Sequence, residues 1–203
     1  MKKTIFLGAL IVPIVALAVH FGMRPLGTDD GLRSGTFDPP REAPDFTLDG
    51  SNGRKLNLHD QLGKVVIVEF GYTYCQDVCP ITLAHLTEAF RKMGNEARDV
   101  QLIYVTVDPA RDNPARLREH LAVFNPAFLG ATGTPDELQA VEKAYGVRAR
   151  QVASTNPALP YAMDHSSSLY LVDREGKLRG LVPFGTPVND IVHDLDFLLK
   201  MQA

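Results

Sequence analysis

The chain has 203 residues, a formal net charge of −3 and only two cysteines. Its 21 basic and 24 acidic side chains are interspersed, so no basic stripe indicates nucleic-acid binding and no charged run indicates a disordered tail. The length that remains after the N-terminal segment is sufficient for one domain with its own core.

The first residues indicate a membrane segment. Lys2 and Lys3 precede an almost unbroken apolar run at 5–23, close to the about 20 residues that a helix needs to cross a bilayer. Because lysines stay on the cytoplasmic side, the rest of the chain is expected outside. Segment 1–23 is therefore predicted to be a single transmembrane anchor, with a signal peptide cleaved near Ala16–Ala18 as the alternative. We expect a single-pass protein of the bacterial inner membrane with its soluble domain in the periplasm.

The next segment, 24–42, is rich in glycine, proline, aspartate and arginine and lacks apolar periodicity, which predicts a flexible tether. The folded domain is predicted to span 43–203. It opens with an N-terminal hairpin, because the turn residues of Asp49–Gly53 are followed by the alternating pattern of Lys55–Leu58.

Apolar patterns predict the elements of the rest of the domain. The predicted strands are two buried ones at 65–70 and 101–107 and a second hairpin at 168–172 and 177–182. The predicted helices run from about 80 to 93, 113 to 124, 134 to 145 and 187 to 200. Helices that alternate with apolar strands indicate an α/β fold with a central sheet covered on both faces.

Cys75 and Cys79 directly follow the first buried strand. If a helix starts near Cys75, residues four apart share one of its faces, and both sulfurs can point to the same spot. Three interpretations are open. A structural disulfide would close too short a loop to stabilise much. A redox dithiol matches the strand-then-helix placement of Cys-X-X-Cys proteins. A metal-binding pair matches the wider spacing, and thiolates favour Cu(I) and zinc.

A copper ion bound by two thiolates needs a third soft or borderline donor. His165 is the candidate, because it ends a proline-containing loop directly before a predicted core strand. In a thioredoxin-like sheet this loop faces the start of the cysteine helix. The alternative is a histidine that only forms a hydrogen bond at the strand entry. The other histidines considered are predicted to face away from the cysteines or into solvent: His59, His85, His120 and His193.

Three motifs follow one another along the chain: FGYTYCQDVCP at Phe70–Pro80, VDPARD at Val107–Asp112, and DHS at Asp164–Ser166 followed by YLVD at Tyr170–Asp173. In this order and spacing they resemble the Sco (SCO1/SenC) family of membrane-tethered copper proteins for cytochrome c oxidase assembly. Together the motifs are highly specific, whereas each alone is much weaker. The resemblance extends from about residue 43 to residue 199.

The resemblance implies a thioredoxin-like fold and one copper ion per chain, Cu(I) or Cu(II), bound by two thiolates and one imidazole. Carried over by motif position, the ligands are Cys75, Cys79 and His165. The expected partners are the copper-acceptor subunit of cytochrome c oxidase, other copper carriers, a thioredoxin-like reductant and, through the N-terminal segment, the membrane. Gln76 stands where the family usually has proline, which frees φ and restores a backbone N–H without removing a ligand.

Further side chains are predicted near the metal. Asp77, between the cysteines, would tune the site or orient a partner, unless it is a solvated loop acid. Asp108, at the end of a central strand, would hydrogen-bond a ligand, unless it only serves the Asp-Pro turn. Met163 is a candidate weak axial ligand, with loop packing as the alternative. Tyr72 and Tyr74 would wall the site or bury a strand end.

Two functions from different classes follow. The first is a copper metallochaperone that delivers copper to the dinuclear copper centre of cytochrome c oxidase by stepwise ligand exchange. The alternative is a thiol–disulfide oxidoreductase that reduces the acceptor cysteines before metallation, with Cys75 and Cys79 as its redox pair. Replacing His165 distinguishes them, because the reductase does not need this ligand. A thiol peroxidase is disfavoured, because Tyr74 precedes Cys75 where that chemistry wants a Pro- and Thr-flanked cysteine.

Overall fold

A computed structural model of the chain describes residues 31–201. The anchor or signal segment predicted at 1–23 therefore lies outside the described residues. Within the described part, no helix combines the length and the apolar character that crossing a bilayer requires.

The described residues form ten strands and four α-helices. The strands are β1 Gly35–Glu42, β2 Thr47–Gly50, β3 Lys55–Asn57, β4 Val65–Gly71, β5 Val100–Thr106, β6 Leu129–Thr132, β7 Ala149–Val152, β8 Ala162–His165, β9 Leu169–Val172 and β10 Lys177–Val182. The helices are α1 Val78–Met93, α2 Pro114–Ala122, α3 Pro135–Tyr145 and α4 Val188–Lys200.

Eight of these strands form one sheet in the order β1-β10-β9-β4-β5-β6-β2-β3, and β7 and β8 form a separate two-stranded sheet. Strand β5 pairs in parallel with β4 and with β6, so the carboxyl ends of the central strands meet at one edge. The predicted N-terminal hairpin is confirmed as β2–β3, where Leu48 lies opposite Leu56. The α/β architecture with a central sheet and flanking helices is confirmed as well.

Every residue of β4 is buried, which explains why this strand is an almost continuous apolar run. Phe70 faces α3, and its ring centroid lies 5.5 Å from that of Tyr145. Ile67 belongs to the opposite face, where it packs in one cluster with buried residues of α1, α2 and α4. The central strand therefore supports two hydrophobic cores, one on each side of the sheet.

The tether predicted at 24–42 is wrong over its last eight residues, because Gly35–Glu42 forms β1 and pairs with β10. The two prolines at 39 and 40 lie where the register shifts between Thr36 and Arg41, and an edge strand tolerates proline at such an irregularity. Just before β1, the hydroxyl of Ser34 donates to Asp194 Oδ2 at 2.5 Å. The folded domain thus extends to the N-terminal side of residue 43.

Two local predictions near the cysteines and the histidine also need correction. Helix α1 begins at Val78 with Asp77 as its N-cap, so Cys75 precedes the helix instead of sharing its face. His165 is the last residue of β8 and not part of a loop. The pattern did not indicate β6, β7 or β8, because each is only four residues long and its register is set by a distant partner.

Candidate metal centre

Three side chains from three different parts of the fold meet beside the carboxyl end of β4. Cys75 lies in the loop after β4, Cys79 in the first turn of α1, and His165 at the end of β8. Their donor atoms all lie within 4.8 Å of one another, and Cys79 Sγ is 3.6 Å from His165 Nε2. Within residues 31–201, no other cluster of His, Cys, Asp and Glu meets this criterion. The structure therefore brings together the three ligands predicted from the motifs.

Gly71 ends β4 where the chain must pass very close to β5. A Cβ atom at this position would overlap the ring of Tyr104. Directly beyond it, the N–H of Cys75 donates to the carbonyl of Tyr72 at 3.2 Å and closes a turn. The chain thus leaves the sheet and reaches the start of α1 within a few residues, which is what keeps both cysteines at this edge.

Asp112, which the sequence did not single out, anchors the loop that carries Cys75. Its carboxylate accepts the backbone N–H of Thr73 at 3.0 Å and the Thr73 hydroxyl at 2.6 Å. It also accepts the hydroxyl of Thr106, at the end of β5, at 2.7 Å. Both Asp112 and Thr73 are buried, so these bonds are shielded from water. The VDPARD motif therefore contributes to the site through its last residue.

The two cysteines form an unequal pair. The backbone N–H of Cys79 donates to Cys75 Sγ at 3.5 Å. A hydrogen bond with the Cys79 thiol lowers the pKa of Cys75 far below its usual range, with help from His165 and against the effect of burial. The bond to Cys75 and burial together raise the pKa of Cys79. One thiolate, on Cys75, and one proton, on Cys79, are therefore expected in the metal-free pair.

The imidazole of His165 is oriented for coordination. Its Nδ1 lies 2.9 Å from the carbonyl oxygen of Ser166, which can only accept a hydrogen bond, so Nδ1 carries the hydrogen and Nε2 faces the sulfurs. The Tyr72 ring packs edge-on against the imidazole, with 5.8 Å between centroids. Burial opposes protonation, but hydrogen bonds to Cys75 and to Ser166 prevail and raise the pKa of His165.

Among the described residues, the Asp108 carboxylate forms no hydrogen bond with any of the three candidate ligands. It is buried, and its carboxylate accepts Arg111 Nε at 2.5 Å and the Tyr161 hydroxyl at 2.8 Å. The Arg111 guanidinium lies 3.7 Å from the ring centroid of Tyr161 and 4.8 Å from that of Tyr74. Instead of the predicted hydrogen bond with a ligand, the Asp108 carboxylate thus accepts from Arg111 and Tyr161 and forms an Asp–Arg–Tyr cluster beside the site.

Asp77 is exposed, and its carboxylate does not cap α1. Its backbone N–H, and not its side chain, contributes to the low pKa of Cys75. The site opens into a cleft of about 280 Å³, whose walls include the predicted residues Tyr72, Tyr74, Asp77 and Met163. The cleft leads to Cys75, which is half-buried, whereas Cys79 is buried.

Glu69 is a further residue that the sequence pattern concealed. It lies within the apolar run of β4 and is buried. Burial, together with the nearby Cys75 thiolate, raises the pKa of its carboxyl group well above the usual value. The sequence did contain a sign of this residue, since Glu69 is the one carboxylate in an otherwise apolar strand. A carboxylate is costly to bury in its charged form, so its presence there indicates a perturbed group.

Two sequence comparisons identify the family of this chain. A family model described as SCO1/SenC matches residues 35–200. The chain is also 35% identical over 179 residues to a "SCO2-like protein" of Rickettsia felis, a match that covers 86% of this chain and 86% of that protein.

Solved structures agree with the sequence matches. ScoI of Bradyrhizobium japonicum with copper bound has a TM-score of 0.71 and 34% identity, over 78% of this chain and 99% of that chain. BsSco, described as a member of the Sco family of cytochrome c oxidase assembly proteins with a disulfide switch, has a TM-score of 0.62 and 26% identity, over 80% of this chain and 96% of that chain. The thioredoxin-like fold expected from the motifs is thereby confirmed.

Proposed function

Since this chain belongs to the SCO1/SenC family, we propose that it is a copper metallochaperone that delivers copper to the dinuclear copper centre of cytochrome c oxidase. The observation that carries the proposal is the set of two sulfurs and one imidazole nitrogen within 4.8 Å. Thiolate sulfur selects Cu(I) over harder cations, and imidazole is a borderline donor that suits copper in both common oxidation states.

Cys75, Cys79 and His165 would hold one copper ion per chain. Cys75 supplies a thiolate already present in the metal-free protein, and Cys79 releases its proton when the metal binds. His165 completes a site of low coordination number for Cu(I). The same three donors accommodate Cu(II), and the cleft gives room for an additional oxygen ligand.

Release would proceed by stepwise ligand exchange at the open side of the site. Cys75 faces the cleft, whereas Cys79 is buried in the first turn of α1. A thiolate of the acceptor subunit therefore reaches the copper beside Cys75 and displaces that ligand first. His165 and Cys79 follow as the second acceptor thiolate binds, so the metal never leaves coordination.

We further propose that the protein is anchored in the bacterial inner membrane, with the copper-binding domain in the periplasm. Lys2 and Lys3 before the apolar run 5–23 support this orientation. An anchor confines the donor to the plane of its membrane-bound acceptor and raises the effective concentration of one for the other. Other copper carriers would load the site, and a thioredoxin-like dithiol would keep its cysteines reduced.

A second candidate function is reduction of the acceptor's cysteine pair before metallation. The low pKa of the half-buried Cys75 favours it, because a thiolate is the attacking species. Cys75 would attack the acceptor disulfide, form a mixed disulfide and release one acceptor thiolate. Cys79 would pass its proton to that thiolate and attack the Cys75 sulfur, which displaces the second acceptor sulfur as a thiolate that takes a proton from solvent. The acceptor leaves as a dithiol and this chain keeps a Cys75–Cys79 disulfide, which a thioredoxin-like dithiol reduces again.

His165→Ala tests the carrier against the reductase. In the carrier, the purified full chain holds one copper, and the variant loses or shifts the thiolate-to-Cu(II) charge-transfer absorption and fails to metallate the acceptor. The matched control is His59→Ala, whose side chain is 62% exposed and pairs with Asp45. Unchanged copper delivery by His165→Ala would contradict the carrier proposal and favour the reductase.

A further inference from the structure

The strand that carries His165 is not part of the main sheet. Strands β7 and β8 pair only with each other among the described residues, with Ala149 opposite His165. An isolated two-stranded hairpin is marginally stable in water. Three residues link His165 to β9 of the main sheet. Beyond this link, the position of the imidazole relative to the two sulfurs depends on contacts between the hairpin and the rest of the domain.

Arg111 makes several of these contacts, and the buried Tyr72 makes another through a hydrogen bond with the backbone of Met163 in β8. Its Nη1 donates to the carbonyl oxygen of Tyr161 at 3.1 Å, and its guanidinium lies 3.7 Å from the Tyr161 ring centroid. Tyr161 is the residue directly before β8, and its hydroxyl is held by Asp108, the carboxylate that also binds Arg111. The entry to β8 is thus fixed to the loop after β5 through both the backbone and the side chain of one residue.

The same guanidinium also contacts the cysteine side of the site. It lies 4.8 Å from the ring centroid of Tyr74, the neighbour of Cys75. It lies 5.7 Å from the ring centroid of Tyr72, which in turn packs edge-on against His165. The Arg111 side chain is only 12% exposed, so these cation–π contacts are little weakened by water.

We infer that Arg111 is a positioning residue, which holds the His165 hairpin against the cysteine loop and thereby sets how long the site retains copper. This inference rests on the proposed function, because retention matters only for a carrier. Arg111 forms no hydrogen bond with a metal ligand, and its hydrogen bond to the hairpin ends on Tyr161, so we assign its effect on copper to His165. An effect transmitted through Tyr74 to Cys75 would instead persist in the His165→Ala background. The outer contact between the two elements, a 3.0 Å bond from Asn156 Nδ2 to Gln76 Oε1, is exposed and contributes little by comparison.

The chain provides a closely matched control for an Arg111 variant. Arg179 pairs with the buried Asp173 at the same 2.5 Å and with a side chain 24% exposed. Asp173 directly follows β9. The start of β9, Leu169, pairs with Glu69 near the carboxyl end of β4, where the cysteines lie, and its end, Val172, pairs with Val66 at the start of β4. The Arg179–Asp173 pair therefore lies at the opposite end of the sheet from the cysteines. Arg179→Met therefore removes an equivalent ion pair without approaching the candidate metal centre.

The test compares Arg111→Met and Arg179→Met, each in the wild-type and in the His165→Ala background. Copper loss from the full chain is followed with a Cu(I) chelator in excess. Loss of a group that contacts a metal ligand directly costs about 10–100-fold in metal affinity. Arg111 acts through Tyr161 and the hairpin, so Arg111→Met should release copper faster by a factor of up to about 10. In the His165→Ala background the same substitution should have no further effect. Tyr161→Phe, which removes only the hydroxyl bond to Asp108, should accelerate release to a smaller extent.

A second readout needs no metal. Amide hydrogen exchange in β7 and β8 should accelerate in Arg111→Met and remain unchanged in Arg179→Met. Equal effects of Arg111→Met with and without His165, or an equal effect of Arg179→Met, would overturn the inference. If the wild-type chain holds no copper, the proposed function fails, and the exchange measurement still decides whether Arg111 positions the hairpin.

Discussion

Glu69 on β4 and Tyr104 on β5 stand opposite each other in the parallel pair at the centre of the sheet. Glu69 Oε2 is buried without a hydrogen-bond partner among the described residues, and the Tyr104 hydroxyl is buried next to Cys79. Burial raises the pKa of both groups well above their usual values. The centre of the sheet therefore holds two neutral, proton-bearing groups close to a cysteine pair that carries one thiolate.

This arrangement makes the stability of the protein depend on pH through Glu69. A carboxyl group whose pKa is raised in the folded state stabilises the fold below its unfolded pKa of about 4.3, and this contribution is lost as the pH rises toward the folded value. Glu69→Gln should therefore gain stability relative to wild type as the pH rises from about 4 to 7. Urea unfolding at several pH values measures the difference.

Glu88→Gln is the control for this prediction. Glu88, on the surface of α1, pairs with Arg91, which lowers the pKa of its carboxyl group. The control should therefore lose stability relative to wild type over the same range. Parallel pH profiles for wild type and Glu69→Gln would mean that Glu69 ionises normally and would contradict the prediction.

Alkylation should distinguish the two cysteines. Because the pKa of Cys75 is lowered, Cys75 stays a thiolate over the whole range, and its rate of reaction with iodoacetamide should stay nearly constant from about pH 9 to below pH 7. An ordinary thiol reacts about tenfold more slowly for each pH unit below its pKa of about 8.5. Cys79, buried and protonated, should remain unmodified. Mass spectrometry of quenched samples assigns the modified residue.

Cys79→Ala tests the cause of this behaviour. The Cys79 thiol is the largest contribution to the low pKa of Cys75, so its removal should make the alkylation rate of Cys75 fall with pH already near neutrality. A wild-type rate that falls tenfold per unit below pH 8 would show that Cys75 is an ordinary thiol.

Asp112→Ala should destabilise the fold and loosen the cysteine loop. The substitution leaves the N–H and hydroxyl of Thr73 and the hydroxyl of Thr106 without their acceptor. Each buried donor left unsatisfied costs roughly 1–3 kcal/mol. Denaturant unfolding measures the loss, and Asp60→Ala, at an exposed position, should be within about 0.5 kcal/mol of wild type. A similarly small effect of Asp112→Ala would exclude it as the anchor of the loop.

Gly71→Ala should show how tightly the end of β4 is packed. The added methyl group would overlap the ring of Tyr104, and overpacking of this kind typically costs about 1–3 kcal/mol. Gly31→Ala is the control, because a Cβ at that position meets nothing within 4 Å. If thermal unfolding finds Gly71→Ala as stable as the control, the close approach of β4 and β5 is not a constraint.

Elements whose physical cause lies within one stretch of chain were predicted well from sequence. Helix α3 begins after Thr134, which forms a capping box with Glu137, and ends at Gly146 in the left-handed region with φ of 73°. Strand β4 was recognised because burial on both faces requires an unbroken apolar run. The reason is that caps and burial leave their mark on neighbouring residues.

Elements that depend on a distant partner were missed or misplaced. Strand β1 was predicted as part of a tether because the segment is rich in glycine, proline, aspartate and arginine and lacks apolar periodicity. Pairing with β10 nevertheless makes it an edge strand, with Pro39 and Pro40 at an irregularity of the register. Strands β7 and β8 stabilise each other across an intervening loop. In both cases the pairing, and not the local pattern, decides the conformation.

The sequence by itself determined that Cys75 and Cys79 form a pair at the end of a buried strand, because their spacing and the strand before them are local features. The motifs further pointed to His165 as the third ligand. Only the tertiary structure decided how these groups meet, since Cys79 and His165 are 86 residues apart and their 3.6 Å approach depends on a hairpin outside the main sheet. The roles of Arg111, Asp112 and Glu69 likewise arise from contacts across the fold, because burial and hydrogen-bond partners are properties of the assembled domain.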